Sequence, residues 1–376
     1  MLKSSSLPLG KTPRVPLLLN PHTSELPARP SSDEVLAFHR RLPGYAPTPV
    51  VSLPSVAATC GVGEVLVKAE VSRLGLPSFK VLGASWAAYR LLCQRMGEVP
   101  EWSSVDDFAD AVANRLGPLR LVAATDGNHG RAVAHVAALW RLKATILVPE
   151  GTAAARIDAI AGEGAEVVVV DGTYDDAVAR SATLAADDTL VVSDTSWPGY
   201  EDTPRWVIEG YSTIFAELAE QLAAPPDAVF VPLGVGALGA AAATNLRGPT
   251  LVGVEPDTAA CVAAAVEAGE IVEVPGPHRS IMAGLNCGLA SPVALPTVTA
   301  GFTAFVAVTD DVCREAIRAL AEAELDVGET GAAALAGLVT LTTLASLPAD
   351  TRVLLLATEG VTDPANFESI VGRPPS

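Results

Sequence analysis

Short runs of β-branched and leucine residues punctuate the chain. Between most of them lies an alanine-rich stretch whose apolar positions recur at helical spacing. The runs are VLVKAEV, LRLVAAT, ATILVPE, AEVVVVDG, TLVVSDT, AVFVPLG, TLVGVEP, FVAVTD and VLLLAT, and TAAARIDAIAGEG and DDAVARSATLAA are typical of what separates them. Runs that are continuously apolar, rather than alternating, predict parallel strands covered by helices on both faces. Strand alternating with helix places the chain in the α/β class. Nine such runs are many for one open sheet, so the pattern predicts two parallel-sheet domains. No repeat with a period of roughly 20–50 residues interrupts it.

The punctuation suggests how the two domains share the chain. GYAPTPVVSLPS (44–55) reads as an extended lead-in, because each residue before a proline is pushed out of helical geometry. TSWPGYEDTP (195–204) is a proline, glycine and acid break between the fourth strand of the central unit and a new helix. These breaks predict an N-terminal arm over 1–45, a large domain from 46–83 and 196–376, and a smaller α/β domain, 84–195, inserted into it.

Composition narrows the function. Of 376 residues, 49% are hydrophobic and 18% charged, which is a globular balance. No uninterrupted apolar run is long enough to span a membrane, and MLKSSSLPLGKTPRVPLLLNP lacks the apolar core of a signal peptide. A net charge of −18 with no basic cluster beyond Arg40-Arg41 argues against nucleic acid and anionic membranes as partners. The five cysteines (60, 93, 261, 287 and 313) are scattered, without metal-ligand spacing. They fit reduced thiols in a cytoplasmic protein with no metal site.

Three stretches carry candidate chemistry. In AVFVPLGVGALGAAAA (228–243) a strand runs into Gly234, Gly236 and Gly239 and then a helix. The spacing matches a dinucleotide loop, and Glu255, at the end of the next strand, would be placed for a ribose. Physically the loop offers unhindered N–H groups at a helix start, which is an anion site whatever the anion. Such a loop also serves plain helix–strand packing. In RLGLPSFKVLGASWAAYRLL (73–92), Lys80 precedes a helical run beginning near Gly83, among Phe79, Val81 and Leu82. A desolvated lysine there is a candidate amine nucleophile toward a carbonyl, and the alternative is a surface lysine snorkelling at a helix start. In VAATDGNHGRAVAHVAAL (122–139), Asp126 and Asn128 follow a strand and open a helix, where they are either helix caps or ligand contacts.

Taken in order, these stretches resemble the tryptophan-synthase-β-like superfamily of pyridoxal-phosphate enzymes, the fold type II group. Within it the chain resembles the diaminopropionate ammonia-lyase family. The resemblance runs from PGYAPTPV (43–50) to ATEGVTDPANFESIVG (357–372). RLGLPSFKVLGAS, ATDGNHGRAVAH, VVSDTSWPGY, VPLGVGALGAA, RSIMAGLNCG and LLATEGVTDP carry it. S-F-K and G-N-H-G belong to the whole superfamily, whereas T-D-G-N-H-G, S-D-T-S-W and T-E-G-x-T-D-P are particular to the lyases. The loop then looks like the cradle of a cofactor phosphate, and Glu255 has no ribose to hold.

The resemblance implies a role for each matching position. Lys80 would form the Schiff base with pyridoxal 5'-phosphate, and Asn128 would hydrogen-bond its phenolic oxygen. Gly234, Val235, Gly236, Ala237 and Leu238 would give N–H groups to its phosphate. Thr358 would face the pyridine nitrogen. The implied reaction is α,β-elimination of D- or L-2,3-diaminopropionate to pyruvate and ammonia, with Lys80 as base on one face. Asp126 stands where related dehydratases carry a small polar residue. It would bind the β-ammonium or serve as base for the opposite enantiomer. Asp194, in VVSDTSW, is a second acid suited to an extra positive charge, unless it is a helix cap. A homodimer acting on a small amino acid completes the expectation.

The chain departs from the lyase pattern at Leu74, Pro77 and Ala84, in CGLAS (287–291), and in the GVGALG form of the loop. These departures bear on the substrate pocket more than on the cofactor. The alternatives are a fold type II serine/threonine dehydratase and a β-replacement enzyme acting on a related β-substituted amino acid.

Overall fold

The apolar runs become strands, most of them buried on both faces, although the run Glu166–Val170 leaves Val168 and Val169 exposed at the edge of its sheet. The computed structural model describes residues 16–28, 31–125 and 127–376. The predicted runs appear as β3 (Glu64–Ala69), β4 (Arg120–Ala124), β5 (Lys143–Pro149), β6 (Glu166–Val170), β7 (Thr189–Val191), β8 (Ala228–Pro232), β9 (Thr250–Pro256), β10 (Ala304–Val308) and β11 (Arg352–Ala357). Two further strands escaped the pattern, β1 (Leu17–Leu19) and β2 (Val50–Ser52). They join a seven-stranded sheet of order β1-β10-β9-β8-β11-β3-β2, beside a four-stranded sheet of order β6-β5-β4-β7.

The inner strands of both sheets are parallel, as continuous apolar runs demand. The correction lies at the edges of the large sheet, where β1 pairs with β10 and β2 with β3 antiparallel. Only three residues long, these edges leave too little periodicity to read. Leu17–Leu19 falls within the stretch expected to be an arm, so part of that stretch is built into the sheet.

The helix Lys80–Met96 begins at Lys80 itself, three residues earlier than its pattern suggests. The Leu82 N–H already donates to the Phe79 carbonyl at 2.9 Å, closing a turn before Gly83. The loop leading into this helix is fixed from below by buried charges. Arg73 donates to Glu70 and to Glu217, and Lys68 donates to Glu217 at 2.7 Å. All four side chains are buried, and each charge has an opposite partner, the condition under which buried ions are tolerated.

Five strand ends converge on one place. The loop after β3 leads to Lys80, β4 to Asn128, β7 to Asp194, β8 to the glycine loop, and β11 to Thr358. Ligands of open parallel sheets bind outside the carboxyl ends of strands, and here two sheets aim those ends at a single cleft.

Candidate active site

The cleft is lined by Lys80, Asn128 and Asp194, by Gly234 through Leu238, and by Thr358, so every described candidate residue meets in one space. Asp126, the remaining candidate, lies outside the described residues. About 700 Å³ of atom-free space, part of it open to solvent, lies between these walls.

Lys80 is partly exposed and Asp194 almost fully buried, and the Lys80 Nζ donates to Asp194 Oδ2 at 2.7 Å. The lysine therefore sits beside a carboxylate, and not in the wholly apolar setting its sequence neighbours suggest. Asp194 caps no helix either, since the next helix, Asp202–Gly210, has Glu201 at its cap position. Its second oxygen accepts from the Tyr174 hydroxyl at 3.2 Å. Burial alone would push the Asp194 carboxyl up. The neighbouring positive charges and the bonds from Lys80 and Tyr174 outweigh it, holding Asp194 well below the usual carboxylate range.

The glycine loop faces this pair. Gly236, with φ of +101°, turns the chain into the helix Ala237–Asn245, and no side chain caps that helix. A β-carbon at Gly234 would stand 3.0 Å from the Gly284 carbonyl oxygen. Both glycines thus leave backbone open at an uncapped helix N-terminus, where N–H groups and the helix dipole favour an anion. This cradle fits a phosphate, and Lys80 across the cleft supplies the amine that a pyridoxal aldehyde needs. Asn128 and Thr358 add a side-chain amide and a hydroxyl on the walls between. Glu255 is otherwise engaged: its two carboxylate oxygens accept from the Val262 and Ala263 N–H groups and cap the helix Cys261–Ala268.

Four more residues of the wall were not singled out by sequence. Tyr174 arrives from the helix Tyr174–Ala182 of the smaller sheet, and no motif marks it. His129 follows Asn128, is buried, and donates from Nε2 to the Val192 carbonyl at 2.8 Å. Its Nδ1 has no hydrogen-bond partner among the described residues, and burial holds its pKa below the ordinary imidazole value. Thr330 accepts from the Thr358 hydroxyl through its carbonyl at 3.2 Å. Glu359 accepts from the Asn128 side-chain amide. A carboxylate directly after Thr358 at a strand end was the available signal for the last.

Comparison with known proteins agrees with this geometry. The family profile described as pyridoxal-phosphate dependent enzyme matches residues 41–359. Diaminopropionate ammonia-lyase of Escherichia coli K12 is 34% identical over 376 residues, covering 94% of each chain. The crystal structure of the Escherichia coli enzyme, in complex with an aminoacrylate–PLP azomethine reaction intermediate, superposes with a TM-score of 0.86 at 31% identity, covering 94% of this chain and 96% of that one. The biosynthetic threonine dehydratase of Escherichia coli K12 is 35% identical, but over only 41% of this chain and 30% of its own. The chain belongs to the pyridoxal-phosphate dependent enzymes, in the branch of the diaminopropionate ammonia-lyases.

Proposed function

We propose that this protein eliminates ammonia from 2,3-diaminopropionate, giving pyruvate and a second ammonia, with pyridoxal 5'-phosphate as cofactor. The observation that carries the reading is the Lys80–Asp194 pair, 2.7 Å apart, facing the uncapped helix N-terminus in one cleft. When bound, the cofactor supplies an electron sink that makes the Cα proton of an attached amino acid removable.

The chain's own groups then divide the work. The N–H groups of Gly234 through Leu238 would hold the phosphate, Asn128 would meet the phenolic oxygen, and Thr358 would meet the ring nitrogen. Lys80 would hold the cofactor and, as a free amine, would take the Cα proton on its face. Asp194 stays anionic at neutral pH because its partners hold its proton affinity down, so it suits an ammonium and not a proton-donating role. It steadies Lys80 and the β-ammonium of the substrate. Asp126 is the proposed base for the opposite enantiomer. A neutral hydroxyl at Thr358 cannot hold a protonated ring as a carboxylate would, which favours prompt loss of a β-leaving group.

The proposal extends to a cytoplasmic homodimer, on the family resemblance and the scattered cysteines. It also keeps the division into a large domain (46–83 and 196–376) and an inserted domain (84–195), with the two sheets as its support, and an arm (1–45) of which Leu17–Leu19 joins the large sheet. The test of the reaction is a pyruvate assay with each enantiomer of diaminopropionate. Turnover in the presence of pyridoxal phosphate supports the proposal. Turnover of serine or threonine in its place would assign a dehydratase.

A further inference from the structure

Glu359 is a buried carboxylate that none of these steps uses. It follows Thr358 at the end of β11 and is 2% exposed. Its Oε1 accepts from the Thr330 backbone N–H at 3.0 Å, and its Oε2 accepts from the Asn128 side-chain amide. Thr330 lies in the first turn of the helix Glu329–Leu344, whose cap residue, Gly328, has no side chain to offer. Glu359 fills that place from the neighbouring strand, where the helix dipole favours an anion. The Thr330 carbonyl in turn accepts from the Thr358 hydroxyl. One carboxylate thus ties together the groups at two walls of the cleft, Asn128 from the smaller sheet and Thr358 from the larger.

We propose that Glu359 is a positioning residue that locks the Asn128 amide with its donor side toward the cleft. The inference rests on the reading that the cleft holds pyridoxal phosphate with Asn128 on its phenolic oxygen. An amide nitrogen carries two hydrogens. One is committed to Glu359, which leaves the other for the cofactor. Turning the amide over would set Oδ1 against the Glu359 carboxylate, so the carboxylate forbids the flipped form. A donor on the phenolic oxygen stabilises its anion, and an acceptor there would favour the neutral phenol.

Glu359→Gln tests this, because it keeps the shape and turns one of two acceptors into a donor. The Thr330 backbone N–H cannot turn, so the amide of Asn128 must. Absorption of the holoenzyme reads the result as the ratio of the visible band of the ring phenolate to the near-ultraviolet band of the neutral phenol. The expected outcome is a several-fold fall in that ratio, with kcat reduced more than KM. Asn128→Ala reproduces the fall, and the double variant adds nothing to it. Glu359→Asp, which keeps two acceptors on a shorter arm, gives an intermediate ratio and carries the test if Glu359→Gln does not fold. A wild-type ratio in Glu359→Gln overturns the inference, as does a wild-type ratio in Glu359→Asp where only that variant folds. A wild type that takes up no cofactor would overturn the underlying reading instead, and this inference with it.

Discussion

Lys80 and Asp194 meet across the cleft although 114 positions separate them, the Nζ of one donating to Oδ2 of the other at 2.7 Å. The lysine starts the helix that follows β3 of the large sheet, and the acid follows the last strand of the small one. Their contact gives the candidate nucleophile a fixed neighbour of opposite charge. On the proposed function, it also offers an anion to the second ammonium of the substrate.

Asp194→Asn removes the charge and keeps the shape. The kcat/KM for diaminopropionate is expected to fall by about 10²-fold or more, the scale of losing one member of a buried, hydrogen-bonded charge pair. A substrate with a neutral β-leaving group, such as β-chloroalanine, should lose less. Steady-state kinetics on the two substrates check this, and equal losses would confine Asp194 to holding Lys80.

Asp126→Asn should split the enantiomers. If the two bases lie on opposite faces, one enantiomer loses turnover by about 10²-fold or more while the other, served by Lys80, keeps most of it. Pyruvate release from D- and L-diaminopropionate measured separately decides the matter. Unchanged turnover of both would remove Asp126 from the chemistry.

Gly236→Ala puts a side chain on a residue with φ of +101° at the mouth of the phosphate cradle. The left-handed conformation alone costs a non-glycine residue about 1–2 kcal/mol, and the turn that aims the N–H groups has to shift to relieve it. Cofactor affinity, titrated by the visible band, should weaken by about tenfold or more. An unaltered dissociation constant would place the phosphate elsewhere.

Stability should fall on mild acidification, and His39 is one source. Its ring is fully buried, bonded to Thr213 and to the Leu82 carbonyl in the helix that carries Lys80. Burial lowers its pKa to about 3. The unfolded chain, with a value of about 6.5, binds that proton first. The stabilising difference is therefore complete above about pH 6.5 and is lost progressively as pH falls toward the folded value, by up to about 1.4 kcal/mol per pH unit. Denaturant unfolding between neutral and mildly acidic pH should show this slope, and His39→Gln should flatten it. An identical slope in the variant would contradict the assignment.

The sequence made some of this visible and hid the rest for physical reasons. Nine strands were legible because parallel strands are apolar throughout, eight of them largely buried and β6 apolar although it is largely exposed. The edges β1 and β2 were not, since three residues hold no period and their pairing depends on partners far along the chain. Lys80, Asn128 and the glycine loop stood out because each sits at a strand end or helix start, where local punctuation shows, whereas Asp194 and Thr358 were reached only through the family resemblance. The Asn128–Glu359 bond spans 231 positions and the Tyr174–Asp194 bond joins a helix to a strand end, and nothing local to either residue announces them. Glu255 shows the opposite hazard. Its spacing suited a ribose, yet its carboxylate is engaged in capping a helix.

The most direct test of the whole account is an absorption spectrum of the purified protein supplied with pyridoxal phosphate. It is recorded before and after adding each enantiomer of diaminopropionate, with pyruvate assayed in the same cuvette. The account predicts a visible band that is absent in Lys80→Ala, that shifts on adding substrate, and that is accompanied by pyruvate. A protein that develops no band, or one whose band survives the loss of Lys80, would contradict it.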